Sequence, residues 1–145
     1  MDFLTGLKIS SSALKAQRTR MGAISSNIAN AQTTRTPEGG PYRKKEVVFG
    51  AEPARESFSD ILEGEMDQYG QKVHATEVIS SNAPPILKYE PDHPDANENG
   101  YVAYPNINVM KEMSDMISAS RNYEANISAF NTTKSMAIKA LEIGR

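Results

Sequence analysis

Leu7, Leu14, Met21 and Ile28 recur every seven residues, and the companion positions of that repeat are Phe3, Ser10, Gln17, Ile24 and Ala31. A repeat of this kind predicts a helix over residues 3–31 with an a/d seam, weakened at its middle by Ser10 and Gln17. Asp2 is placed to cap its start, and Asn27 and Asn30 mark where it gives out. Ala13, Ala16 and Ala23, with several serines, make a second face on which another backbone fits closely. The far end of the chain repeats the design at greater length. Val109, Met113, Met116, Ser120, Tyr123, Ile127, Phe130, Lys134, Ala137 and Leu141 alternate by four and three. Asn108 is the expected N-cap after Pro105, Glu112 and Asp115 lie early, and Lys134, Lys139 and Arg145 lie late, as the helix dipole prefers. At 1.5 Å per residue the second helix spans roughly 54 Å against roughly 43 Å for the first. In either relative direction it overhangs, and part of its apolar stripe has no partner within the chain.

Between the helices the texture changes. Residues 32–107 hold all eight prolines and six of the nine glycines. "YRKKEVVFG", "QKVHATEVIS", "PPILKYE" and "GYVAYPN" read as short strands between turns, and "FSDILEGEM" as one or two helical turns. The expected fold is therefore α+β. Long N- and C-terminal helices (1–31 and 108–145) pack as a coiled-coil-like pair, with a small β-rich insert (32–107) between them. Trp is absent and only ten aromatic residues are available, which argues for thin helix–helix packing over a thick core. The net charge is -2 with both signs interleaved, so no field favours nucleic acid or a membrane surface. Without Cys there is no disulfide, thiolate nucleophile or Cys-ligated metal. No signal peptide is visible, and no apolar run approaches the ~18 residues of a membrane span. Taken alone, that points to the cytosol.

The chemistry that the motifs suggest is thin. "EGGPYRKK" (38–45) has a helix before its Gly pair and a strand after it, the reverse of a phosphate loop, and Pro41 removes a donor; a turn is expected. Arg43-Lys44-Lys45 is too short a basic run for nucleic acid without aromatic platforms. In "DHPDANENG" (92–100), Asp95, Asn97, Asn99 and Gly100 match the first half of a calcium loop. The bidentate twelfth position falls on Asn106, however, so a turn is expected and no metal. His74 and His93 are the only imidazoles, and no Ser or Thr sits on a strand-to-helix elbow. Met110, Met113 and Met116 read as plain packing, and Glu112 with Asp115 as dipole decoration. Neither catalysis nor a cofactor nor a small-molecule substrate is expected.

"SSNIANAQTTRTPEGGPYRKK" (25–45) resembles the motif that ends the first helix of bacterial flagellar axial proteins, and residues 100–145 are similar to their second terminal helix. "PYRKK" and "PDHPDANENGYVAYPNINV" look like the proximal rod branch of that family. The resemblance implies a structural subunit of the basal-body rod, exported through the flagellar type III apparatus without a cleaved signal and assembled in the periplasm. It implies partners among other rod and basal-body proteins and copies of itself. The expected assembly surface is Leu7, Leu14, Met21, Ile24, Ile28 and Asn30 on the first helix, with Met113, Met116, Tyr123, Ile127, Phe130 and Leu141 on the second. A cytosolic helical adaptor or chaperone is the alternative, and an enzyme with an unrecognised site the third reading.

Overall fold

A computed structural model of the chain describes residues 3–53 and 70–143. Asp2, "FSDILEGEM" and Arg145 lie outside the described residues. The order is α1 (Phe3–Ala29), β1 (Lys45–Pro53), β2 (Gln71–Ser80), β3 (Ile86–Tyr89), β4 (Tyr101–Tyr104) and α2 (Val109–Ile143). Two long terminal helices pack together with two small antiparallel hairpins between them, the α+β architecture expected from the periodicity.

Both helices begin or end on local chemistry that the sequence announces. Asn108 Oδ1 accepts the Lys111 backbone N–H at 3.1 Å, capping α2. At the end of α1, Asn30 donates from Nδ2 to the Ser26 carbonyl at 2.9 Å, and Thr33 Oγ1 donates to Asn30 Oδ1 at 3.2 Å. Glu112 is the one acidic residue in the first turn of α2. The last turn carries no basic residue, so Lys134 and Lys139 lie too early to serve the dipole as expected.

The helices are antiparallel. Asn27 near the end of α1 meets Glu112 near the start of α2, and Gly6 lies opposite Thr133. Extending that register leaves residues 137–143 beyond the start of α1, an overhang of about 10 Å at 1.5 Å per residue.

After α1 the chain turns back on itself through Gly39 and Gly40, whose φ values of 89° and 77° are in the left-handed region that side chains avoid. Tyr42 N–H returns to the Thr33 carbonyl at 3.0 Å, which closes this loop and aims the chain into β1. β1 pairs with β2 from Lys45↔Ser80 to Pro53↔Gln71, with a register shift at Val48/Phe49 where Thr76 is the extra residue. This hairpin leans on α1, and Val73 N–H reaches Ser12 Oγ at 3.3 Å. β3 and β4 form the second hairpin, closed by the "DHPDANENG" turn. Asn97 Oδ1 there accepts the N–H groups of Asn99 and Tyr101, at 3.1 and 2.9 Å. Asp95 is occupied too: Thr34 Oγ1 donates to it at 2.7 Å, tying this hairpin to the loop after α1.

Among the described residues the core is small. Besides Pro105, its buried apolar members are Ala16, Ala23, Ile24, Val102 and Ala119, joined by the polar Thr5, Asn27 and Glu112. Three of these five are alanines, so close backbone approach, rather than interlocking large side chains, seats α1.

Candidate functional site: a polar staple and an uncovered helix flank

On α1 the buried line runs through Thr5, Ala16, Ala23 and Asn27. At ~100° per residue this is the small-residue face, well over 90° around the helix from the Leu7–Leu14–Met21–Ile28 row. Those four residues are half-buried, as is Asn30, while Ile24 is already buried within the single chain.

The α2 stripe splits in two. Met116, Tyr123, Phe130 and Ala137 are half-buried, and they share a face with buried Glu112 and Ala119 and with half-buried Asn126 and Thr133. That face lies against α1, as the Glu112 and Thr133 contacts require. The other half of the expected seam points elsewhere. Met113 and Ile127 are exposed, and Ile117 (56%) and Ile138 join them on a flank turned ~100° from the packing face. Leu141 is exposed for a different reason. It continues the packing side of α2 into the overhang, where α1 has run out, and it is 75% accessible. Lys134 is exposed and Ser120 half-buried. Neither interrupts the internal interface, because Thr133 and Ala119 occupy it in their place.

At the opposite end the helices are held by polar groups that periodicity does not reveal. Asn27 is 1% exposed and Glu112 3%. Asn27 Nδ2 donates to the Lys45 carbonyl at 2.9 Å and to Glu112 Oε2 at 3.0 Å. Its Oδ1 accepts the Lys45 N–H at 2.8 Å and the Tyr42 hydroxyl at 3.2 Å. The Tyr42 proton is thus committed, so Ser26 Oγ, 3.0 Å from the Tyr42 oxygen, is the donor of that pair. Glu112 Oε1 meets Lys44 Nζ at 3.1 Å, and Lys44 also reaches Glu46 at 3.3 Å. Every hydrogen-bonding position of the Asn27 carboxamide is filled, which is what makes its burial tolerable. Partial burial opposes the Lys44 charge, but hydrogen bonds and attraction from Glu112 and Glu46 outweigh it and raise its pKa above the ordinary lysine value.

Glu112 is therefore a buried anchor and not dipole decoration. Lys44 is its counter-ion. A signal existed in the sequence: Asn27 is four residues beyond Ala23, and Glu112 seven before Ala119, so both continue small-residue lines. The imidazoles are apart and locally engaged. His74 faces Glu52 at 3.5 Å and Thr76 at 3.3 Å, and His93 Nδ1 accepts the Asp95 N–H at 3.1 Å. Among the described residues no group of three or more His, Cys, Asp or Glu could hold a metal ion, and no helix is long and apolar enough to cross a membrane.

An interlocked helix pair with an uncovered flank suits assembly, and comparison with known proteins says of what. Residues 7–35 match the family described as flagella basal body rod protein. Residues 98–143 match the flagellar basal body rod FlgEFG protein C-terminal family. Over the whole of both chains, the sequence is 45% identical to the flagellar basal-body rod protein FlgC of Bacillus subtilis and 43% identical to that of Salmonella typhimurium. The protein of the same name from Borreliella burgdorferi is 41% identical over 99% of this chain and 98% of its own. With likeness of this extent at both helices and through the hairpins between them, the chain belongs to the FlgC family of flagellar basal-body rod proteins, structural subunits rather than enzymes.

Proposed function

We propose that the chain polymerises within the proximal rod through the surface that its helix pair leaves uncovered, meeting other rod proteins and copies of itself there. The observation that carries this reading is the apolar flank of α2, Met113, Ile117, Ile127 and Ile138, together with Leu141 on the overhang. A monomer gains nothing from presenting these side chains to water, whereas each is worth about 1.5–3 kcal/mol when fully buried. Leu7, Leu14, Met21 and Ile28 of α1, half-buried in the single chain, offer a second apolar row for the same purpose. Subunits reach the periplasm through the flagellar type III apparatus, which needs no cleaved signal peptide.

Fractionation tests this reading. In motile cells, the tagged chain should leave the cytoplasm and sediment with purified basal bodies, and it should stay in the cytoplasm when the flagellar export apparatus is deleted. A chain that remains cytoplasmic and soluble in motile cells would favour the helical adaptor instead.

A further inference from the structure

We infer that Asn27 is a conformational coupler that locks the first hairpin to the helix pair, and that it does so by standing in for a peptide group. Its carboxamide faces Lys45, the first residue of β1, with the paired donor and acceptor that a neighbouring strand would offer: Oδ1 takes the Lys45 N–H at 2.8 Å and Nδ2 gives to the Lys45 carbonyl at 2.9 Å. The chain's own hairpin uses the other edge, where Ser81 N–H bonds the Lys44 carbonyl at 2.8 Å. Asn27 therefore extends the ladder by one rung from inside a helix. Its remaining donor goes to Glu112 on α2, 85 positions away, and its remaining acceptor site to Tyr42. The last turn of α1, the first turn of α2 and the entry to β1 must all be in place before this side chain is satisfied. A buried amide with only some of its partners costs free energy, so partly docked arrangements are selected against and the docking becomes all-or-none.

Of the other residue types only Gln carries the same carboxamide, and it does so one methylene further from α1. Asp at this position has no donor for the Lys45 carbonyl and would set two buried carboxylates against each other. Exchanging the two partners' chemistry, with Asp at 27 and Gln at 112, restores the contact between them with donor and acceptor reversed.

Amide hydrogen exchange on the full chain tests the coupler directly, without reference to rod assembly. In Asn27→Asp, exchange at the Lys45 amide should accelerate about tenfold or more. Amides paired across β1–β2, and those around Ala119 in α2, should change far less. The double variant Asn27→Asp/Glu112→Gln should recover only the part of the protection that the carboxylate clash removed, because the Lys45 carbonyl still lacks its donor and Lys44 has lost a counter-ion. Uniform acceleration at all sites, an unprotected Lys45 amide in the unaltered chain, or a double variant no better than Asn27→Asp would each overturn the inference. If Asn27→Asp is too unstable to measure, Tyr42→Phe decides: it leaves one acceptor position of Asn27 unfilled without adding charge, so the coupler requires exchange at Lys45 to accelerate there, and an unchanged rate would overturn it.

Discussion

Where α1 ends and α2 begins, Asn27, Lys44 and Glu112 satisfy one another's buried polar groups. Roughly 30 Å along the pair, at the start of α1, the contact is Gly6 against Thr133, and beyond it, among the described residues, α2 runs on alone with Leu141 uncovered. One end is closed within the chain by specific hydrogen bonds, and the other is left open with apolar side chains. The difference teaches what each end is for. A polar lock fixes the relative placement of the helices and the first hairpin in every copy, whereas an uncovered apolar end suits the contact with another molecule proposed above.

The largest effect on the single chain should come from Glu112→Ala at the closed end. It removes the carboxylate that answers both Lys44 and Asn27, and leaving the buried Asn27 donor unsatisfied costs about 1–3 kcal/mol, to which the lost charge-assisted bond from Lys44 adds. Chemical denaturation should show that loss directly. A change under ~1 kcal/mol would mean that the two ends are held alike.

Ala119→Leu attacks the close approach between the two ends. Ala119 is wholly buried, and overpacking such a site costs about 1–3 kcal/mol. Thermal unfolding should register it, and Ile117→Leu on the exposed flank should leave the transition within error.

The smallest effect is alkaline. Lys44 has a raised pKa in the folded chain, so its ion pairs contribute in full below the ordinary lysine value of about 10.5. Their contribution is lost as pH rises through the higher folded value. A stability profile should fall across that window, and Lys44→Met should flatten it. A profile unchanged by that substitution would remove Lys44 from the lock.

Much of this fold was legible in the sequence. The alternation by three and four residues marks both helices, Pro105 and Asn108 set the start of α2, and "QKVHATEVIS" is β2 residue for residue. Which face of each helix turns inward was not legible, for a physical reason. Hydrophobic periodicity follows large side chains, and in this chain many of those lie outside the internal interface while alanines form it. Ile127 and Met113 belong to the same repeat as Tyr123 and Met116, yet one pair is exposed and the other half-buried. A repeat that runs over two faces at once cannot be divided between them without the antiparallel register, which no local pattern encodes. Asn27 and Glu112 continue the alanine lines, but the bonds that satisfy them were not legible, because their partners lie 18 and 85 positions apart in the chain.

The most direct test of the central claim, that the uncovered flank of α2 is an assembly surface, is to compare folding and rod formation in Ile127→Asp. Ile127 is exposed in the single chain, so the substitution should change its stability by no more than ~0.5 kcal/mol. In an assembled rod every subunit would then carry an unpaired charge into a contact, at a cost of several kcal/mol each. The variant should be expressed and exported at detectable levels, yet yield no rods and no swimming. Ser118→Asp, ~180° around the helix from Ile127, should swim normally. Normal swimming by Ile127→Asp, with rods of ordinary yield, would contradict the account.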